Sequence, residues 1–475
     1  VSNPAESRVD MTTGAITPKL ASLAWPLVAG NLLQTFYNLA DMFWVGRVGP
    51  NAVAAVSLMF PTAWMFVSVA MGLTAAAVAL VSQHVGAGDD RKADNVVAQT
   101  TMLTVAVALV LSTFGYAFRH PLLSLVGAEG QVYAYSLQYV EVLFVSIPFT
   151  FLFFVFRAVL RGAGDTRTAM WLMVLSAGAN VVLDPFLILG YGPFPEWGVR
   201  GAAIATLLSR VVAAAIGVAI LVKGDWGVRL RLEDLRPDWP VLKRLVDVGY
   251  PGTIDGLARS FAAVAMAALV ARFGPIPTAA YGVGLRLMSV SWTVSGAVGQ
   301  ATATGVGQNL GAGTPDRAAA VTWKGTAGTM AVLFGVGALL FAFPDEAMRV
   351  FIADRAVVAA GVTFLRIIAP FLAFFGGLMV VQGGFRGAGD TRTAMVLSFL
   401  SRWVLRIPAA VVLAYGWTLP VAGVSLAGLG WGVDGLWWAW SFSAAGSFVL
   451  GAAWFSLGRW REGVVETERA ATPGD

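Results

Sequence analysis

The sequence predicts an all-α polytopic membrane protein, with twelve transmembrane helices arranged as two parallel six-helix bundles. Three observations carry that expectation. First, the chain is 57% hydrophobic and only 12% charged over 475 residues, with a mean hydropathy of +0.73, against roughly 25% charged residues in a soluble domain. Second, apolar stretches of membrane-spanning length recur from end to end; residues 52–81 hold no charged side chain. Third, the decapeptide RGAGDTRTAM occurs at 161–170 and again, unchanged, at 386–395, a separation of 225 residues.

A bilayer core takes about 20 apolar residues of helix. Windows of that kind fall at 18–45, 53–81, 95–118, 131–160, 167–189 and 199–221, then at 241–270, 278–305, 319–341, 357–385, 392–415 and 433–457. Several exceed the minimum, which predicts tilt, kinks or projection beyond the bilayer. The shift of 225 persists far from the decapeptide. Pro26 pairs with Pro251, Arg47-Val48-Gly49-Pro50 with Arg272-Phe273-Gly274-Pro275, Gln83 with Gln308, and Gly86-Ala87-Gly88 with Gly311-Ala312-Gly313. A self-similarity in constant register means two copies of one unit. Six spans per copy is an even number, so both copies start on one side of the membrane and the repeat is parallel. The expected lobes are 15–221 and 241–460, joined by a connection at 222–240.

Charge sets the orientation. Twenty basic residues fall on the side of the termini and the even-numbered connections, and six, including Arg47, Arg119 and Arg272, on the other. Positive charge marks the cytoplasmic side, so both termini are expected there. Arg157, Arg161, Arg386 and Arg392 are counted with that cytoplasmic set. Both decapeptides then lie between helices four and five of their halves. Gly-Ala-Gly-Asp permits a tight turn in which Asp caps the following helix. It serves as a structural hairpin or as part of a cytoplasmic gate.

Much is excluded. With no cysteine, disulfides, thiolate nucleophiles and thiolate metal sites are impossible, and His84 and His120 are too few for an imidazole metal site. The net charge of +5 lies mostly between spans, which argues for anionic lipid as partner and against nucleic acid. The polar stretch before Thr17, with Glu6, Arg8 and Asp10, lacks the pattern of a cleaved signal peptide. No catalytic constellation or cofactor fingerprint is present, so the chain is not expected to be an enzyme.

The informative residues are ionisable groups at membrane depth. Asn31, Gln34, Asn38 and Asp41 recur at helical spacing on the first helix, with Tyr37 at the edge of the stripe. Helix five contributes Asn180 and Asp184, four residues apart; Pro185 follows and favours a local break that frees carbonyl oxygens. Helix six offers Thr206 in GAAIAT. Two carboxylates with amide, hydroxyl and carbonyl oxygens suit a hard cation such as sodium, and the same acids could take up protons. Either way an inward cation can be exchanged for an outward substrate. A salt-bridged or capping pair is the plainer alternative. The second half lacks these acids, since 41 maps to Met266 and 184 to Ala409. Its Asp255, Arg259, Arg286, Arg366, Arg402 and Arg406 are expected to form a different polar surface, through internal pairing or substrate contact. Pro26 removes a helical hydrogen bond and could let helix one bend as Asp41 changes protonation, or could pack statically. The 29 Phe, 17 Trp and 9 Tyr fit interfacial belts and a cavity for flat hydrophobic cations.

Together these segments resemble the multidrug and toxic compound extrusion family over about residues 15–460. The likeness rests on the two six-helix halves, WP at 25–26, the paired RGAGDTRTA, QHVGAG at 83–88 against QNLGAG at 308–313, and Asn180 through Pro185. It implies a V-shaped transporter of alternating access, exporting amphipathic cations as an antiporter driven by sodium or protons, and needing no other cofactor. It also implies a cation site in the first lobe at Asp41, Asn180, Asp184 and Thr206, with bending at Pro26. A monomer is expected. The competing expectations are a flippase for lipid-linked saccharide or lipid precursors, and a channel or scaffold.

Overall fold

A computed structural model describes residues 8–224, 227–416, 418–421 and 424–465. Twelve long helices appear among them in the expected order. The first six are α1 (Ile16–Val48), α2 (Pro50–Ala87), α3 (Asp90–Ala117), α4 (Gly130–Gly162), α5 (Thr166–Leu189) and α6 (Gly198–Lys223). The second six are α7 (Trp239–Ala271), α8 (Pro275–Gly311), α9 (Pro315–Ala342), α10 (Arg355–Gly387), α11 (Thr391–Ala414) and α12 (Val433–Ser456). Nine of these are long and apolar enough to cross a membrane by length and composition. The others, α1, α8 and α12, are diluted by their Asn, Gln, Gly, Ser, Thr and Trp residues.

Most helices outrun the sequence windows by a few residues because polar caps extend them past the apolar core. Asp165 accepts from Thr168 N at 2.9 Å and Asp390 from Thr393 N at 3.1 Å, so each decapeptide caps α5 or α11 as its composition requires. Gly164 (φ 89°) and Gly389 (φ 82°) supply the left-handed residue of each turn.

Four features were not visible in the windows. Short helices Arg119–Leu125 and Pro344–Arg349 follow α3 and α9 at equivalent places in the two halves. An antiparallel two-stranded hairpin, β1 (Thr418–Val421) with β2 (Val424–Ala427), follows α11. α10 tightens at Ala369–Phe371, and α11 widens into a π-helical segment at Leu400–Arg406. One expectation is overturned: Pro185 does not break α5, which runs through it to Leu189. It lies in the closing turns of the helix, where losing a single donor is tolerated.

The two halves meet at the end that carries residues 8–15, residues 457–465 and the even-numbered connections. There α2 packs on the start of α7 and the end of α8 through glycines. A Cβ on Gly86 would collide with the Gln308 carbonyl, and one on the equivalent Gly311 with the Gln83 carbonyl. Small residues let helices approach this closely in a membrane, where apolar burial gives little drive. The apolar start of α1 (Ile16, Leu20, Leu23, Leu27) joins a core with Ala297, Val306 and Phe385 of the second half.

At the opposite end the cores separate. Val45, Ala52, Val56, Ile188, Val199 and Ala202 form one drawn wholly from the first half. Met266, Val270, Met288, Phe364 and Trp437 belong to another drawn wholly from the second. The molecule is therefore a V, joined at the end that carries residues 8–15 and 457–465 and open at the other.

The repeated glutamines tie down the terminal segments across the joined end. Gln308 accepts from Met11 N at 2.9 Å, and Val9 N donates to Gly164 O at 3.1 Å. Gln83 accepts from Val464 N and Val465 N at 2.9 and 3.0 Å, and donates to Gly387 O at 3.0 Å. The connection between halves is pinned to α3: Asp94 accepts from Arg229 N (2.6 Å) and Arg231 Nε (2.8 Å).

Candidate functional site

The site forms where α1, α5 and α6 meet in the first half, beyond the joined end. Tyr37 and Asp41, four residues apart, turn one face of α1 toward α5 and α6. Tyr37 is buried, and its hydroxyl lies 3.2 Å from Thr206 Oγ1. On α5, Asn180 and Asp184 are fully buried. Orienting the Asn180 amide so that both ends are satisfied makes its nitrogen donate to Asp184 Oδ2 at 3.1 Å, while its oxygen accepts from Thr206 N at 3.1 Å. One chain of polar contacts thus runs from Tyr37 through Thr206 and Asn180 to Asp184.

The acids are left incomplete. Oδ1 of Asp41 and Oδ1 of Asp184 are both buried without a hydrogen-bond partner, and Asp41 lies within Coulombic reach of Asp184. An orphaned buried carboxylate oxygen is costly, more so beside a second carboxylate. A proton or a cation relieves that cost. Two carboxylates, an amide and hydroxyls are hard oxygen donors of the kind an alkali cation takes. No cluster of three or more Asp, Glu or His side chains suited to a metal occurs among the described residues.

The structure brings Tyr37, Asn180, Asp184 and Thr206 together and sets the rest of the α1 stripe apart. Gln34 Nε2 donates to Asn38 Oδ1 at 3.1 Å, and Asn38 is exposed while Asn31 and Gln34 are half-buried. Those three lie outside the acid pocket, on a more open surface. Pro26 is buried inside an uninterrupted α1, near the core shared with the second half.

Arg157, counted from the sequence with the cytoplasmic set, is buried within the first half at 6% exposure, donating from Nε to Ala169 O at 3.1 Å. The pull of the positive-inside pattern hid this, because Arg157 stands only five residues before the end of α4. Arg210 was missed altogether. It is buried, donates to Ser176 Oγ at 3.1 Å, and sits 4.2 Å from the Phe153 ring centroid and 5.7 Å from that of Tyr37. Its signal was available: it follows Thr206 by four residues, on the same face of α6.

The second-half set divides. Asp255 pairs with Arg259 (2.7 Å) and Arg386 (3.2 Å), and Arg406 donates to Ser443 Oγ at 3.0 Å. Arg286 and Arg366 are exposed and stand apart.

Two parallel six-helix units, joined at one end and holding unpaired acids at membrane depth, define a multi-pass membrane transporter rather than an enzyme. The MatE family model matches residues 26–186 and 251–412, two segments that begin 225 residues apart, and the chain belongs to that family. A probable multidrug resistance protein NorM of Thermotoga maritima is 28% identical over 86% of this chain and 88% of its own length. A FAD transporter of Shewanella oneidensis is 32% identical over 66% of this chain and 69% of its own. A solved multidrug resistance MATE family transporter, in an outward-facing conformation, superposes with a TM-score of 0.84 at 25% identity, covering 96% of this chain and 98% of that one.

Proposed function

We propose that the chain is a secondary multidrug efflux antiporter, exporting amphipathic organic cations in exchange for protons or sodium. One observation carries the reading: the buried, unpartnered oxygens of Asp41 and Asp184, which lie within Coulombic reach of each other in the first half. With a proton or sodium ion bound, the repulsion between the two acids is relieved and α1, α5 and α6 draw together. Without it, the two acids attract a cationic cargo instead. Competition of ion and cargo for the same charge is what couples their movements.

In this reading Asp41, Asn180, Asp184 and Thr206 hold the ion, Tyr37 links α1 to α6, and Asn31, Gln34 and Asn38 present the polar surface met by cargo. Pro26 lets α1 bend when the ion leaves. The lobes 15–221 and 241–460 rock about the connection 222–240, in a monomer surrounded by lipid. With both termini cytoplasmic, the V opens outward and the joined end is the closed inner gate. The named multidrug relative and the outward-facing neighbour support this assignment.

A second reading, a flippase for lipid-linked saccharide or lipid precursors, draws support from the arginines of the second half and from a relative named for a phosphate-bearing dinucleotide. Proteoliposomes separate the two. Efflux of a fluorescent organic cation under separately imposed sodium and proton gradients should be strong in wild type and absent in Asp41→Asn and Asp184→Asn. Full gradient-driven efflux in both variants would remove the coupling assignment, and movement of a labelled phospholipid in place of the cation would favour the flippase.

A further inference from the structure

The acid pocket gives no work to the guanidinium cluster of the second half, which the geometry places at the floor of the cleft. On α7, Gly252, Gly256 and Arg259 follow one another at spacings of four and three, hence on one stripe. The first two press on α2: a Cβ on Gly252 would lie 3.0 Å from Gly72 Cα, and one on Gly256 2.7 Å from Ser68 Cβ. The next residue of the stripe is Arg259, whose side chain keeps 34% exposure. Farther along α2, Trp64 and Phe60 continue the stripe of Gly72 and Ser68 and are exposed at 42% and 53%, their rings 6.0 Å apart in a T-shaped pair. Just beyond Gly256 the contact between the two helices no longer covers Arg259 on α7 or the rings of Trp64 and Phe60 on α2.

The charge around Arg259 is unbalanced. Arg259 and Arg386 share one oxygen of Asp255, and Arg402 lies within Coulombic reach of both Asp255 and Arg259. One carboxylate thus faces three guanidiniums, which stay charged in proteins. Nε of Arg259 is buried without an acceptor. Arg402 donates to Ser398 O at 3.2 Å. It sits in the π-helical turn Leu400–Arg406, whose equivalent in α5 is continuous α-helix, and π-turns often mark functional sites. Trp403 Nε1 donates to Ala258 O at 3.1 Å and fixes that turn against α7.

We propose that Arg259, Arg386 and Arg402 form an oxyanion subsite at the cleft floor, which takes the phosphate or carboxylate of a planar amphipathic cargo whose ring lies against Trp64 and Phe60. Planar guanidinium forks match such groups in two-point hydrogen bonding. The acids of the first half repel an anion, so the subsite belongs to the second half alone, and cargo of either charge finds a complementary wall. Nothing here depends on which ion drives transport.

The test is equilibrium binding, without a gradient, to the purified full chain in phosphatidylcholine nanodiscs. The probes are riboflavin and riboflavin 5′-phosphate, which share a ring and differ by the phosphate. Wild type should bind the phosphate form tighter by about tenfold or more. Arg259→Gln and Arg402→Gln should bring the two flavins level while leaving an organic cation, ethidium, bound as before. Equal binding of both flavins by wild type, which needs no variant to fold, would overturn the proposal. So would a phosphate preference that survives both substitutions. Repeating the titration in phosphatidylglycerol nanodiscs identifies the source of the oxyanion. Loss of the preference there assigns the subsite to lipid headgroups, and its persistence assigns it to soluble cargo.

Discussion

The two halves share a framework and differ in their chemistry. At the joined end Gly86 and Gly311 press on each other's equivalent glutamine carbonyl, Asp165 and Asp390 cap equivalent helices, and Gln83 and Gln308 each hold one terminal segment. Deeper in the membrane the equivalences fail. Asp41 and Asp184 face Met266 and Ala409 across the repeat, Gln34 faces Arg259, Gly30 faces Asp255, and Ala177 faces Arg402. Residues kept in both copies build the turns and the closure. Residues unique to one copy carry charge: Asp41 and Asp184 with Arg157 and Arg210 in the first half, and Asp255 with Arg259 and Arg402 in the second. A duplicated fold has in this way acquired an asymmetric cleft.

The largest effect should come from erasing that asymmetry on the acidic side. Asp184→Asn or Asp41→Asn is expected to reduce gradient-driven efflux to the leak of protein-free liposomes, whereas Met266→Asp should not restore it, because Met266 lies in an apolar core. Restoration would show that either half can couple. Next comes the shared framework. Gly86→Val and Gly311→Val should each disfavour the joined end by about 1–3 kcal/mol through overpacking. The chain has no cysteine, so a labelled cysteine pair placed across that end should report its separation. Unchanged distances would mean that the glycines do not set the closure.

Smaller effects distinguish the two terminal segments. Gln308→Ala should loosen residues 9–11 by about 1–3 kcal/mol, the cost of lost buried hydrogen bonds, and leave residues 464–465 protected from hydrogen exchange. Gln83→Ala should do the reverse. Equal loosening of both segments in either variant would mean that they act as one unit. The smallest effect concerns the connection. Hydrogen bonding from Arg91, with Nη2 at 2.7 Å, holds the Asp234 carboxyl below the usual carboxylate range. A lowered folded-state pKa stabilises above the ordinary carboxylate value and is lost as pH falls through the lowered one. Exchange protection of residues 229–238 should therefore hold at neutral pH and decline only in acid, and Asp234→Asn should abolish that pH dependence.

Much of the architecture was legible because membrane helices announce themselves by length and because the repeat doubles each signal. The acids were legible for a related reason: a carboxylate at membrane depth has few structural excuses, and Asn180 and Asp184 share one face of α5, whereas Thr206 meets them only through the packing of α6. Arg157 escaped because its place near the end of α4 mimics a headgroup anchor, and Arg210 because one basic residue in an apolar helix was not weighed against Thr206. The clamping of residues 9–11 by Gln308 joins positions nearly 300 apart, which no local pattern encodes. The π-turn that carries Arg402 has no composition of its own.

The most direct test follows protons and sodium when cargo binds. An organic cation added to detergent-purified protein in weak buffer, or to protein preloaded with radioactive sodium, should displace the resident ion from wild type, and the double variant Asp41→Asn/Asp184→Asn should release none. Equal release from wild type and the double variant would contradict the account, because the exchanged charge would then lie elsewhere.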